Sequence, residues 1–180
     1  PISRDGGLAV LYGNIAPDGA VTKKAAIPEN RQFFKGPAKV FEGESDAING
    51  IRDANICDGD VVVIRYEGPK GGPGMPEMCL PLKILAGAGL ANKVAVITDG
   101  RFSGANSGMA VGYISPEAQE AGPLAALKNG DMITIDIKNR KLSAEVDPER
   151  LKNIKQKNPR KYKGYLGLYS KVVSSASKGA

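Results

Sequence analysis

The fold turns on residues 61–108: Val61-Val-Val-Ile-Arg-Tyr66, then Gly68-Pro-Lys-Gly-Gly-Pro-Gly-Met-Pro-Glu77, a helical stretch from Met78 to Ala86, Val94-Ala-Val-Ile97, and finally Thr98-Asp-Gly-Arg-Phe-Ser-Gly-Ala-Asn-Ser-Gly108. Val61 to Ile64 are all β-branched, which suits a buried strand. Met78 to Ala86 reads as a helix with Pro81 in its first turn, ended by Gly87-Ala-Gly89. Val94 to Ile97 is the next strand. The order strand, loop, helix, strand, loop is a βαβ unit, with parallel strands and a right-handed crossover expected. Loops that leave the C-terminal ends of parallel strands open on one edge of the sheet. Glu77 and Ser103 are therefore expected to approach one another although 26 residues separate them.

Working outward, Leu8 to Tyr12 and Ala38 to Phe41 read as strands, and Ala16-Pro-Asp-Gly19 as a turn. Ser45 to Arg52 reads as a helix with Ser45 as N-cap. Ser115-Pro-Glu-Ala-Gln-Glu120 has the form of a second capped start, with Ser115 as N-cap and Pro116 at the first helical position. Gly122 to Leu127 is a short helical turn. Met132 to Ile137 and Leu142 to Val146 form a hairpin, and Asp147-Pro-Glu149 opens a C-terminal helix. Asp58-Gly-Asp60 and Asn129-Gly-Asp131 each feed a strand, an echo read as shared turn chemistry and not as a repeat. The whole describes an α/β domain with a mixed sheet or two stacked sheets and few helices.

The chain has 180 residues, room for one domain with a real core or one domain plus a tail. Its 23 glycines and 12 prolines point to shaped loops in place of long helices. No apolar run reaches the length of a membrane span and there is no signal peptide. Pro1 as the first residue suggests an excised domain or a processed chain. Histidine is absent, which removes Ser-His and Cys-His mechanisms and histidine metal sites from this chain. Cys57 and Cys79 have no zinc spacing and read as reduced thiols of a cytoplasmic protein. The net charge of +6 is concentrated in Lys152 to Lys163, six basic residues with no acid. Nucleic acid could pair with such a run, but with Tyr162 as the lone aromatic a solvated basic helix or tail, over about 148–180, is the preferred reading.

At the shared edge, Glu77 could ligate a hard cation such as Mg²⁺, or be a solvated loop acid at a helix start. Ser103 could be a nucleophile or base, or a turn hydroxyl. Arg101 could grip a substrate carboxylate in a bidentate pair, or make a surface salt bridge; for Lys70 the solvated role is preferred. Asp99 could brace the loop. Neither glycine-rich loop matches a nucleotide-binding pattern.

KGGPGMPEM (70–78), TDGRFSGANSG (98–108) and YISPEA (113–118) resemble the C-terminal domain of the dihydroxy-acid and phosphogluconate dehydratase family. GGLAVLYGNIAPDGAV (6–21), FEGESDAINGI (41–51) and SKVVSSASKGA (170–180) fit as well, so the resemblance covers the chain. The ending is more similar to the dihydroxy-acid branch than to the sugar-acid branch. The resemblance implies a single C-terminal domain over 1–180, a swivelling β/β/α three-layer fold, and a part in dehydrating a 2,3-dihydroxy acid to a 2-keto acid during valine and isoleucine biosynthesis. It implies Mg²⁺ and an iron–sulfur cluster in the full enzyme, whose cluster ligands belong to an N-terminal domain absent here and match neither Cys57 nor Cys79. On that basis the chain alone binds no cluster and is inactive. Glu77 matches the family's Mg²⁺-ligating glutamate and Ser103 its proton-accepting serine, with Arg101 and Gly104 as substrate-binding positions. The expected partners are the N-terminal domain, a small dihydroxy acid and a second copy in a homodimer, in the cytoplasm or an organellar stroma or matrix. Ala105-Asn106 and Tyr113 depart from the family, where Gly-Thr and histidine are frequent. Readings kept beside this one are a sugar-acid dehydratase, a module binding anions or nucleic acid, and a structural domain that only closes over a partner.

Overall fold

A computed structural model describes residues 6–103 and 108–180. Eight strands close into one barrel. They are β1 (Ala9–Gly13), β2 (Ala16–Thr22), β3 (Phe33–Phe41), β4 (Val61–Ile64), β5 (Ala95–Thr98), β6 (Met109–Ser115), β7 (Met132–Asp136) and β8 (Lys141–Glu145), in the spatial order β1-β2-β6-β5-β4-β3-β7-β8. The sheet is mixed, as expected: β3, β4, β5 and β6 run parallel, while β1–β2, β2–β6, β3–β7 and β7–β8 are antiparallel. The barrel closes through a single registered pair, Tyr12 with Lys141, in the parallel sense.

The expected βαβ unit is β4, α2 (Cys79–Gly87) and β5, and a second parallel crossover, β3 through α1 (Glu44–Arg52) to β4, precedes it. These strands explain the unbroken apolar runs. Val61, Val63, Ala95 and Ile97 face the barrel interior, while Val62, Ile64, Val94 and Val96 face outward into a second core with Ala47, Ile51, Met78 and Leu85. A strand buried on both faces has no polar side to show. The β7–β8 hairpin, covered on one face, alternates instead: Ile133, Ile135, Leu142 and Ala144 point inward. The resemblance implied three stacked layers; the strands form one closed barrel, with α1 and α2 packed against β4 and β5.

Several local expectations are corrected. Ala16 to Gly19 is strand, and the hairpin turn is Asn14-Ile15. The Asn14 amide donates to the Ala144 carbonyl (2.7 Å) and accepts from its N–H (2.9 Å), a tether to β8 that places the turn there. Gly43, not Ser45, precedes α1, at φ +123°, and the Glu67 carboxylate accepts from Glu44 N–H (3.1 Å) in place of a capping hydroxyl. At φ +123° a side chain would be strained whatever space it had, so glycine is favoured there. Ser115 ends β6 and does not cap: its hydroxyl donates to the Tyr113 carbonyl, and a short 3₁₀ turn, Ala118–Glu120, follows.

The echo of Asp58-Gly-Asp60 and Asn129-Gly-Asp131 is real turn chemistry. Asp60 and Asp131 each accept from the N–H three residues back, both at 2.7 Å, and Gly59 and Gly130 share φ +90°. Asp147 caps α3 (Pro148–Lys152) through Glu149 N–H. No helix among the described residues is long and apolar enough to cross a membrane.

Candidate functional site at the loop edge of the barrel

The glycine-rich loops do meet. Glu77 and Arg101 pair as an isolated parallel bridge, and Met78 N–H donates to the Arg101 carbonyl (3.2 Å). Ser103 N–H donates to Glu77 Oε1 (3.0 Å). Partial burial works against the charge of Glu77. Hydrogen bonds from the Cys79 thiol and from Ser103, with the charge of Arg101, outweigh it and hold the carboxyl below its ordinary range. Glu77 is thus an anion with donors gathered on it, half-exposed at the rim. The approach is close: a Cβ at Gly100 would lie 2.9 Å from the Glu67 carbonyl oxygen and 2.7 Å from the Met78 methyl.

Arg101 is exposed, and its Nε donates to the Met75 carbonyl at 2.5 Å, so part of the guanidinium stitches the two loops together. Lys70 is not solvated as expected: its ammonium pairs with Glu120. Gly104, Ala105 and Asn106 lie outside the described residues. Cys57 and Cys79 are unpaired thiols. Among the described residues no group of three or more His, Cys, Asp or Glu is placed to hold a metal ion. Glu77 offers one hard oxygen donor, enough to contribute to a shared Mg²⁺ site and not enough to build one.

Behind these residues stand two buried carboxylates. Asp99, wholly buried, accepts from Tyr66 N–H (3.1 Å), Glu67 N–H (2.9 Å) and Ala118 N–H (2.9 Å), and so braces the loop as the sequence suggested. Burial raises its carboxyl to about 6, against the pull of these N–H bonds. Glu117 went unrecognised in the sequence, where it reads as part of a helix start. Its carboxylate accepts from Lys70 N–H (2.8 Å) and Gly71 N–H (2.9 Å), and burial raises it to about 7. Glu44, beside the same rim, is raised by burial and then by the charges of Glu67 and Glu77.

The basic side chains of the run 152–163 are exposed, as the solvated reading expects, and the run is also bonded to this edge. Beyond α3 it is an extended strap across this edge. Gln119 donates to the Lys157 carbonyl (2.7 Å) and Gln156 to the Gln119 carbonyl (3.0 Å). Lys157 pairs with Glu42 (2.7 Å) and lies 4.8 Å from the centre of the Tyr66 ring. Arg160 pairs with Glu67 (3.3 Å), and the Tyr162 hydroxyl donates to the Gly71 carbonyl (3.1 Å). Helix α4 (Gly164–Val172) follows, with Leu166 against the open side of Gly74. A run of cations with no acid of its own was the available signal: its partners had to be sought elsewhere in the chain.

The chain is 55% identical to a dihydroxy-acid dehydratase of Acetivibrio thermocellus, and 53% identical to those of Caldicellulosiruptor bescii and Dehalococcoides mccartyi. Each match covers 100% of this chain and 33% of the relative, so the chain spans about a third of the length of these curated proteins. Residues 1–180 match the family described as dihydroxy-acid/6-phosphogluconate dehydratase C-terminal, and to that family the chain belongs.

Proposed function

We propose that this chain is the C-terminal part of a hydro-lyase that converts a 2,3-dihydroxy acid, such as 2,3-dihydroxyisovalerate, to a 2-keto acid in branched-chain amino-acid biosynthesis. The observation that carries the reading is the junction of the two loops, with Glu77 bridged to Arg101 and the Ser103 N–H on the Glu77 carboxylate. The reaction removes the proton on C2 and expels the C3 hydroxyl as water, and the enol so formed tautomerises to the keto acid. Ser103, once ionised to the alkoxide with its own proton passed to solvent, accepts the C2 proton and returns to the neutral hydroxyl. Glu77 is the residue of this chain that would hold Mg²⁺, which when bound draws charge from the substrate carboxylate and C2 hydroxyl and acidifies the C2–H bond. Arg101, exposed beside them, adds positive charge where the substrate carboxylate would lie. The described residues do not fit an iron–sulfur cluster, since Cys57 and Cys79 belong to no ligand group. The ligands of a cluster would come from the part of the enzyme outside this chain. In the same reading the barrel domain closes over an N-terminal domain, in a cytoplasmic homodimer.

The test is the full-length enzyme with Mg²⁺, offered 2,3-dihydroxyisovalerate beside 6-phosphogluconate. Turnover of the branched acid is expected. Ser103→Ala is expected to lower kcat by about 10²- to 10⁴-fold, while Glu77→Gln weakens Mg²⁺ activation. Preference for the sugar acid would move the enzyme to the other branch, and unchanged kcat in Ser103→Ala would remove Ser103 from the chemistry.

A further inference from the structure

We propose that Asp99, with Glu117 beside it, is the positioning residue of this site: its buried carboxylate is the point at which three loops are fixed to one another, and through it Ser103 and Glu77 are held in register. The inference rests on the reading above of Ser103 and Glu77.

The geometry is specific. Tyr66 and Glu67 begin the loop that ends at Glu77, Ala118 lies in the turn after β6, and Asp99 begins the loop that carries Ser103. Three backbone N–H groups from two of those loops converge on the carboxylate that belongs to the third. Glu117, next to Ala118, then takes Lys70 N–H and Gly71 N–H in the middle of the Glu77 loop. Further bonds continue the chain: Gly72 N–H to the Gly68 carbonyl (2.8 Å), Met75 N–H to the Gly72 carbonyl (2.7 Å), and the Met75 carbonyl to Arg101. Asp99 and Glu77 are thus joined by a series of side-chain and backbone hydrogen bonds linked through chain neighbours. The glycines of this loop pack closely on Tyr66, Glu67 and Glu117, and hydrogen bonds to the two buried carboxylates fix its path.

Asparagine cannot substitute. The three donors use both carboxylate oxygens, Tyr66 and Ala118 on Oδ2 and Glu67 on Oδ1. An amide offers one oxygen and a second donor, so at least one N–H would face another donor. The charged groups around the pair are Glu67 and Lys70 of the Glu77 loop, Glu120 of the 3₁₀ turn, and Arg160 of the strap on Glu67.

The experiment compares full-length wild-type, Asp99→Asn, Glu117→Gln and Ser103→Ala enzymes by steady-state kinetics on 2,3-dihydroxyisovalerate and by amide hydrogen exchange. Asp99→Asn is expected to lower kcat about 100-fold with a smaller change in KM, the signature of misplaced reacting groups, and to speed exchange at Tyr66, Glu67 and Ala118. Glu117→Gln is expected to speed exchange at Lys70 and Gly71 and to lower kcat about 10-fold. Wild-type kcat together with wild-type protection in Asp99→Asn would overturn the proposal. If that variant does not fold, Glu117→Gln decides between the same two outcomes. The wild-type enzyme gives a third test: the Tyr66, Glu67 and Ala118 amides must exchange as slowly as those of β4 and β5, and fast exchange there refutes the proposal. Ser103→Ala separates the two ideas: if it keeps full turnover, the catalytic reading fails while the exchange pattern still reports on Asp99.

Discussion

Ile97 and Asp99 are two residues apart, and both are without solvent exposure. Ile97 points into the barrel among Val63, Val111 and other aliphatic side chains of that core, where burial alone is favourable. Asp99 lies just past the end of β5, where burial alone is unfavourable and is offset by three N–H donors. The wall of the barrel and its rim are therefore held by opposite means. The wall tolerates any aliphatic side chain of the right volume. The rim depends on individual acceptors, because glycine-rich loops offer backbone and little else.

The contrast can be broken most forcefully in the wall. Ile135→Ala, at a wholly buried position in a closed barrel, should cost about 4 kcal/mol in equilibrium denaturation. A cost below about 1 kcal/mol would mean that the barrel wall is not tightly packed.

The rim should show itself through pH. The Glu117 carboxyl is raised from an ordinary 4.5 to about 7, so between these values the native state holds more of its proton than the unfolded state does. Its contribution to stability is then greatest below about pH 4.5 and is lost as pH rises to about 7, by at most about 3 kcal/mol. Asp99 acts with the same sign up to about 6. In Glu117→Gln that part of the slope should vanish, which urea titrations at pH 5 and pH 7.5 would measure. An identical slope in the variant would assign the effect elsewhere.

A finer probe is Tyr162→Phe, which removes the bond from the strap to the Gly71 carbonyl and should cost about 1 kcal/mol. Exchange at the neighbouring Gly72 amide should quicken, and no change in either would make the strap a bystander. The smallest effect belongs to Lys35→Ala. The Lys35–Glu145 pair is 43% and 61% exposed, and its loss should stay below about 0.5 kcal/mol and disappear in high salt.

What could be read in the sequence follows the same division. Strands β4, β5, β7 and β8 and helix α2 were legible because apolar patterning is a local signal, and the meeting of Glu77 with Ser103 followed from the topology those elements imply. Closure of the barrel was not legible, since it rests on Tyr12 meeting Lys141 across 129 residues. The roles of Glu117, Glu67 and Tyr162 were hidden for a related reason. Their partners lie between 23 and 93 residues away, and nothing adjacent in sequence marks them. Ser45 and Ser115 misled in the opposite way. Each has a capping residue's local context, but Glu67 takes the place of the first and β6 runs through the second.

The join between β1 and β8 is a hoop fastened by one clasp. Tyr12 pairs with Lys141 and donates its N–H to the Arg140 carbonyl (2.9 Å), and Asn14 adds its two bonds to Ala144. While the clasp holds, no stave presents a bare side to which a foreign strand could add. Were it to slip, two such sides would open at once, on the part of the barrel away from β4 and β5. Shelf life at high concentration, more than turnover, is the property in which a loosened Asn14 would first be felt.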